Sequence, residues 1–336
     1  MSTTAPALTA ADFDSDQEVR WCPGCGDYAV LAYLKQVLAE MGVPREKIVF
    51  VSGIGCAGRL PYYLNTYGFH TISGRAPAVA TGLKVARPDL SVWVVTGDGD
   101  GCGAGLAHLM HALRRNVGIK ILLFNNEVSG LSKGQFSPTT RIGTVTRTSR
   151  DGALEPPVRP LALALAAEAS FVARTIDVDG EHLAATLKRA AAHPGAAFVE
   201  IYQNCRIFND GVFEYATDLA TKAGNLLYLE HGRPLLYGKD RHLGLRLNGV
   251  QLESVELNGN TIRAVLTHDE SAAETALAAL LAGATAPALP ECLGVLRCAP
   301  RPTYESYLAR LAESRPRLSI GGMDDLFASE DMWEVE

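Results

Sequence analysis

Four of the seven cysteines in this 336-residue chain fall where metal chemistry is possible. Cys22 and Cys25 form a C-x-x-C pair within Trp21-Cys22-Pro23-Gly24-Cys25-Gly26. Cys56 closes Ser52-Gly53-Ile54-Gly55-Cys56, and Cys205 closes Tyr202-Gln203-Asn204-Cys205. A close pair joined by two further thiols suits a Cys₄ [4Fe–4S] cluster or a tetrahedral zinc site, and spacing alone leaves both open. A second constellation begins at Gly97-Asp98-Gly99-Asp100-Gly101 and ends about 28 residues later at Asn125-Asn126. Its glycines let backbone N–H groups approach a phosphate closely, and the helix that follows adds the partial positive charge of its N-terminus. Asp98 and Asn126 offer two oxygens to Mg²⁺, a hard cation that takes one or two carboxylates together with substrate phosphates and water. A lone GDG is most often an ordinary turn. The second oxygen ligand one helical crossover later favours a metal that bridges a diphosphate.

The elements that must position these groups alternate. Runs rich in β-branched residues at 48–51, 91–96, 119–124, 171–174 and 197–202 predict strands. Helical patterns lie at 28–41, 77–86, 104–115, 161–169 and 181–192, and Leu106, Leu109, Met110 and Leu113 share one face of the third. The alternation defines an α/β fold with a parallel sheet flanked by helices, its ligand site beyond the C-terminal strand ends. Cys56, Asp98, Asn126 and Cys205 each follow the end of a strand, so all four belong to one rim. Residues 140–160, with Arg141, Arg147, Arg150, Pro156, Pro157 and Pro160, predict a long irregular loop of the functional or mobile kind. After about residue 215 the texture changes to short strands over 235–266, an Ala/Leu-rich helix, a helix near 304–311 and an acidic tail. The expected division is a flexible arm over 1–19, a cofactor- and cluster-binding domain over 20–215, and a C-terminal extension over 216–336 that acts as a subunit contact. Cys102 lies in the diphosphate turn and Cys292 and Cys298 in the extension, and all three read as small buried hydrophobes.

Composition removes several function classes. Lys plus Arg total 31 against 37 Asp plus Glu, a net charge of −6, which is the wrong sign for a phosphate-reading nucleic-acid binder. With 47% apolar and 20% charged residues the chain is globular. No run reaches the roughly 18–20 uncharged apolar residues of a membrane span, and the N-terminus lacks the basic head and apolar core of a secretory signal. A cytoplasmic location follows as the expectation. Disulfides are rare there, which favours metal binding for the cysteine pair.

The two constellations together, with the run Asn125-Asn126-Glu127-Val128-Ser129-Gly130-Leu131-Ser132-Lys133-Gly134-Gln135 and the tail Phe208-Asn209-Asp210 after Cys205, resemble the β subunits of 2-oxoacid:ferredoxin oxidoreductases. These are thiamine-diphosphate enzymes, and the likeness is greatest to their 2-oxoglutarate branch. It covers roughly residues 20–215. The resemblance implies the thiamine-diphosphate-binding fold and selects a [4Fe–4S] cluster on Cys22, Cys25, Cys56 and Cys205 over zinc. It implies Mg²⁺ on Asp98, Asn126 and the Val128 carbonyl. It further implies cofactor contacts from Ile54, Gly55, Cys56, Ala57, Ser73, Gly99, Asp100, Gly130 and Leu131, and substrate contacts from Arg59, Leu131 and Lys133. The implied activity is the coenzyme A-acylating oxidative decarboxylation of 2-oxoglutarate, reversible in principle, with ferredoxin as electron acceptor and coenzyme A as co-substrate. An α subunit, in an αβ or α₂β₂ assembly, is expected to supply the activating glutamate, so no catalytic acid or base is assigned to this chain. Three positions depart from the family pattern: Ser73 stands where His is common, Ser129 where Tyr is common, and Glu127 where a basic or small residue is usual. The alternatives are the same family acting on pyruvate or another 2-oxoacid, a non-catalytic iron–sulfur electron carrier, and a zinc-stabilised interaction module.

Overall fold

The computed structural model describes residues 8–314. Its strands are β1 (Ile48–Ser52), β2 (Tyr67–His70), β3 (Ser91–Gly97), β4 (Ile119–Asn125), β5 (Phe171–Ile176), β6 (Ala197–Tyr202), β7 (Leu226–Tyr228), β8 (Leu236–Tyr237), β9 (Leu243–Asn248), β10 (Gln251–Glu256) and β11 (Glu291–Cys298). Eight of them form one sheet in the order β2-β1-β3-β4-β6-β5-β11-β7, and β8 to β10 form a small sheet of their own. The first six strands of that order are parallel, β11 runs antiparallel to β5, and β7 runs parallel to β11.

The main helices are α1 (Asp27–Glu40), α2 (Ala76–Ala86), α3 (Leu106–Arg115), α4 (Pro160–Ala166) and α5 (Gly180–Ala192). Strands β1, β4, β5 and β6 are buried at every position, because helices cover both faces of a parallel sheet. Side-chain alternation then feeds two cores. Val49, Val51, Val92, Val94, Ile119 and Ile121 pack with residues of α2, α3 and α4. Phe50, Trp93, Val95, Leu122 and Phe124 pack with residues of α1 and α5. Helix α3 stops at Asn116, in the left-handed conformation (φ 55°), where an Asn is tolerated as a C-terminal cap. The Asn116 Oδ1 also accepts from the Ser170 hydroxyl at 2.5 Å and the Ala196 N–H at 2.9 Å. One side chain thereby ties the end of α3 to the starts of β5 and β6.

All five expected strands and all five expected helices are present. Three expectations change. The arm predicted over 1–19 is docked from Leu8 onward: Phe13 is fully buried, the Asn65 N–H donates to the Phe13 carbonyl at 2.9 Å, and Lys35 pairs with Asp14 at 2.6 Å. The buried Phe13 ring supplies apolar contact and the flanking polar contacts fix the stretch in place. Helix α3 begins at Leu106, two residues later than expected, because Asp100–Ala104 forms a wider turn closed by the Gly105 N–H on the Asp100 carbonyl at 2.9 Å. The C-terminal extension contributes β7 and β11 to the main sheet itself, and β11 is apolar and buried over most of its length. The acidic tail lies outside the described residues. Between β4 and α4 the chain forms neither helix nor strand, as the long-loop reading required. Among the described residues no helix is long and apolar enough to cross a membrane.

Candidate active site

The C-terminal ends of β1, β3, β4 and β6 meet on one rim, where a cavity of about 430 Å³ opens. Asp98, Gly99, Asp100, Asn126, Val128, Gly130 and Leu131 line it, together with Ile54, Gly55, Cys56 and Ala57 from the loop after β1. Asp98 is 2% exposed, and its Oδ2 accepts from both the Ser137 and Thr139 hydroxyls at 2.6 Å. Burial pushes its carboxyl up to about 6 against the opposing pull of those hydroxyls. A buried carboxylate in that condition favours a cation. Asn126 and Val128 line the same cavity, and an Asp carboxylate, an Asn amide oxygen and a backbone carbonyl are hard oxygens of the kind Mg²⁺ takes. Glu127, at φ 55°, turns the chain so that the Val128 N–H meets Asn126 Oδ1 at 3.2 Å. Its own carboxylate pairs with Arg141 at 2.9 Å, and burial pushes it up to about 7.

Two glycines, one in this turn and one in the loop after β1, sit in crowded places. A Cβ on Gly99 would lie 2.6 Å from Ser129 Oγ, and one on Gly53 would lie 1.7 Å from Asp100 Oδ2. The Asp100 carboxylate is itself fully engaged inside the protein. Its Oδ1 accepts from the Gly74 N–H at 2.7 Å and the Ser73 hydroxyl at 3.1 Å, and its Oδ2 from the Thr96 hydroxyl at 2.8 Å. Ser73 faces that carboxylate and is absent from the cavity wall.

A second cavity of about 220 Å³ adjoins the first and shares Cys56, Asn126, Gly130 and Leu131 with it. All four predicted cysteines line it. A Cβ on Gly130 would lie 3.6 Å from Cys205 Sγ and 3.8 Å from Cys56 Sγ, so one glycine sits against two of the sulfurs. The loop carrying Cys22 and Cys25 is pinned by Trp21, whose indole N–H donates to the Cys56 carbonyl at 2.9 Å and whose ring packs edge-on against Tyr63. Burial pushes the thiols of Cys25 and Cys205 up and that of Cys56 up to about 11, while backbone N–H groups of Phe208, Ile207 and Asn209 draw Cys205 back down. Such thiols stay protonated unless a metal displaces the proton. The four cysteines line a single cavity, which gathers the donor set that a Cys₄ cluster would need.

Arg59 and Lys133 line the smaller, sulfur-walled cavity and are absent from the larger one, with Arg59 donating to the Arg20 carbonyl at 2.7 Å. Leu131, 54% exposed, lines both. Cys102 and Cys292 are buried apart from the cluster-like wall. Sequence reasoning missed Ser137 and Thr139, which return from the long loop to grip Asp98, and it missed Gln203 and Asp27. Gln203 donates to Cys25 Sγ at 3.3 Å and accepts from Asn126 Nδ2 at 2.7 Å. Asp27 lines the larger cavity and is 1% exposed, and among the described residues neither of its oxygens has a hydrogen-bond partner of ordinary geometry; burial pushes it up to about 7 against the pull of the Cys25 thiol. Its position as the first residue of α1 looks like an ordinary helix-start acid, which hid it.

A diphosphate-type turn and an oxygen ligand set at the rim of a parallel sheet define a thiamine-diphosphate enzyme domain, and residues 53–201 match the family model described as "Thiamine pyrophosphate enzyme, C-terminal TPP binding domain". The chain is 46% identical over 341 residues to the 2-oxoglutarate oxidoreductase subunit KorB of Mycobacterium tuberculosis, covering 99% of this chain and 90% of that one. It is 44% identical over 190 residues to the β subunit of 2-oxoacid:ferredoxin oxidoreductase 1 of Aeropyrum pernix, a match that spans 56% of this chain and 60% of that one. It also superposes on a solved 2-oxoglutarate:ferredoxin oxidoreductase from Magnetococcus marinus, determined with 2-oxoglutarate, coenzyme A and succinyl-CoA bound. That likeness has a TM-score of 0.76 at 31% identity and covers 95% of this chain and 96% of that one. The chain belongs to the β-subunit family of the 2-oxoacid:ferredoxin oxidoreductases.

Proposed function

We propose that this chain is the β subunit of a 2-oxoglutarate:ferredoxin oxidoreductase that forms succinyl-CoA from 2-oxoglutarate and coenzyme A. The observation that carries the reading is the shared wall: Cys56, Asn126, Gly130 and Leu131 separate a cavity with oxygen ligands from a cavity with four cysteines. Bound thiamine diphosphate supplies an electron sink at the 2-oxo carbon, and a low-potential [4Fe–4S] cluster supplies one-electron steps toward ferredoxin. Within the chain, Asp98, Asn126 and the Val128 carbonyl hold Mg²⁺, and Ser137 and Thr139 keep Asp98 oriented and charged. Gly99 and Gly130 leave room for the diphosphate. Cys22, Cys25, Cys56 and Cys205 hold the cluster. Ile54 and Ala57 face the cofactor; Leu131, which lines both cavities, and Arg59 and Lys133, on the wall of the smaller one, bind the substrate, the two cations pairing with its carboxylates. The larger cavity stands open beside Ile54, 49% exposed, and Leu131. An α subunit closes it and brings the activating glutamate, in a cytoplasmic αβ or α₂β₂ assembly.

The choice of 2-oxoglutarate is supported by the solved neighbour's bound ligands and by the printed name of the mycobacterial relative. The test is the anaerobically purified complex: iron, sulfide and thiamine content, then viologen reduction with coenzyme A across a panel of 2-oxoacids. A brown protein with bound thiamine and a preference for 2-oxoglutarate is expected. A preference for pyruvate would move the chain to another branch, a cluster without thiamine would make it an electron carrier, and zinc in place of iron would end the redox reading.

A further inference from the structure

We propose that Gln203 is a positioning residue that couples the magnesium-ligand amide to the cluster sulfurs, orienting Asn126 and raising the cluster's potential through an N–H···S hydrogen bond to Cys25. The proposal rests on the reading of the two cavities given above and assigns a role to a residue outside both ligand sets. Gln203 is 1% exposed, so water does not compete for its amide. Its Nε2 lies 2.6 Å from the Asn204 carbonyl, an atom that only accepts, which fixes which end of the amide is nitrogen. The other hydrogen of that NH₂ faces Cys25 Sγ at 3.3 Å.

The amide oxygen is then committed to Asn126. Its Oε1 accepts from Asn126 Nδ2 at 2.7 Å, which leaves Asn126 Oδ1 as the atom turned the other way. The Val128 N–H meets that Oδ1 at 3.2 Å, and Asn209 Nδ2 holds the Asn126 carbonyl at 2.9 Å. Every side-chain polar atom of the Asn126–Gln203 pair therefore has an assigned partner, which favours one orientation of the Asn126 oxygen toward a cation. Hydrogen bonds to cluster sulfurs stabilise the more negative, reduced state and raise the potential. One buried amide thus acts on both centres. A side chain at 203 that lost its donor would lower the potential, and one that lost its acceptor would free Asn126 to rotate.

The experiment uses the intact complex, purified anaerobically, as wild type, Gln203→Met and Gln203→Glu. Gln203→Met removes donor and acceptor. It is expected to keep iron and sulfide, to bind thiamine diphosphate about tenfold more weakly in the presence of Mg²⁺, and to shift the reduced-to-oxidised cluster ratio at fixed potential about tenfold toward oxidised. For one electron that shift is about 59 mV more negative. Gln203→Glu keeps an oxygen for Asn126 and cannot supply both lost hydrogens, so thiamine diphosphate affinity should stay near wild type while the potential still falls. Redox titration followed by electron paramagnetic resonance reads the potential, and calorimetry reads the affinity. Should Gln203→Met fail to retain its cluster, Gln203→Glu decides, and an unchanged potential in it overturns the proposal. A fully loaded Gln203→Met with wild-type potential and affinity does the same. Wild type without iron and sulfide would overturn the cysteine assignment itself, and this proposal with it.

Discussion

Replacing Asp100 separates a scaffold role from a ligand-binding one. The resemblance placed this residue at the diphosphate, yet its carboxylate accepts three internal hydrogen bonds, from Gly74 N–H, Ser73 and Thr96. In Asp100→Ala the consequences for those donors differ. The Thr96 hydroxyl already lies 3.3 Å from the Gly97 carbonyl and can turn to it, and half-buried Ser73 can take water. The Gly74 N–H is buried and has nowhere to go. Leaving it unpaired costs about 1–3 kcal/mol, and the small void left by the carboxymethyl group adds about 1 kcal/mol. The total is about 3 kcal/mol, or a fall in Tm of about 4–5 °C for a chain of this size. Asp100→Asn keeps Oδ1 for Gly74 and can donate from its new amide to the Thr96 hydroxyl, so it should cost less than about 1 kcal/mol. Calorimetry on cofactor-free protein, paired with thiamine diphosphate titration, tests both variants. An Asp100→Ala protein with wild-type Tm and lost cofactor affinity would refute the scaffold argument and return Asp100 to the diphosphate.

Other perturbations follow from the same geometry. In Gly26→Ala the new Cβ would lie 1.8 Å from Asp177 Oδ2, which also holds the Asn204 N–H at 2.9 Å, so the loop bearing Cys25 must shift; iron content should fall well before the far-ultraviolet circular dichroism changes. Glu200→Gln leaves Arg174 charged and buried with Glu291 as its remaining partner at 3.8 Å, and urea unfolding should show a loss of about 3 kcal/mol, the lower end for a broken buried pair. Burial, helped by nearby Lys120, pushes His193 down to about 4. A histidine that binds its proton less readily when folded than when unfolded keeps its full stability above its ordinary value near 6.5 and loses it as pH falls toward 4. Wild type should therefore lose about 1.5 kcal/mol more than His193→Gln between pH 7 and pH 5 by urea unfolding, and parallel slopes would reject the assignment. Chelation of divalent cations by EDTA should release thiamine diphosphate and leave iron and sulfide bound, which ultrafiltration followed by metal and thiochrome assays reads directly.

The contrast between what the sequence disclosed and what it concealed has a physical cause. Strands β1, β3, β4, β5 and β6 are buried on both faces, so their composition is constrained along the whole run and shows as continuous apolar stretches. Cys56, Asp98, Asn126 and Cys205 follow the ends of such strands, and a parallel sheet brings strand ends to one rim without further information. Edge strand β2 is exposed at all four residues, so burial left no mark on Tyr67-Gly68-Phe69-His70 and its strand character went unread. The same logic divides the site. A ligand needs a particular residue type at a particular spacing, which a chain of letters preserves. A supporting residue needs only a polar atom at the right point in space, and many types can provide it. Ser137 and Thr139 reach Asp98 across about 40 residues of chain, and Gln203 reaches Cys25 across 178 positions. Ordinary hydroxyls and amides thus acquired their roles only when the sheet closed around them. The residues hardest to read from sequence are, for that reason, the ones that hold the proposed ligands still.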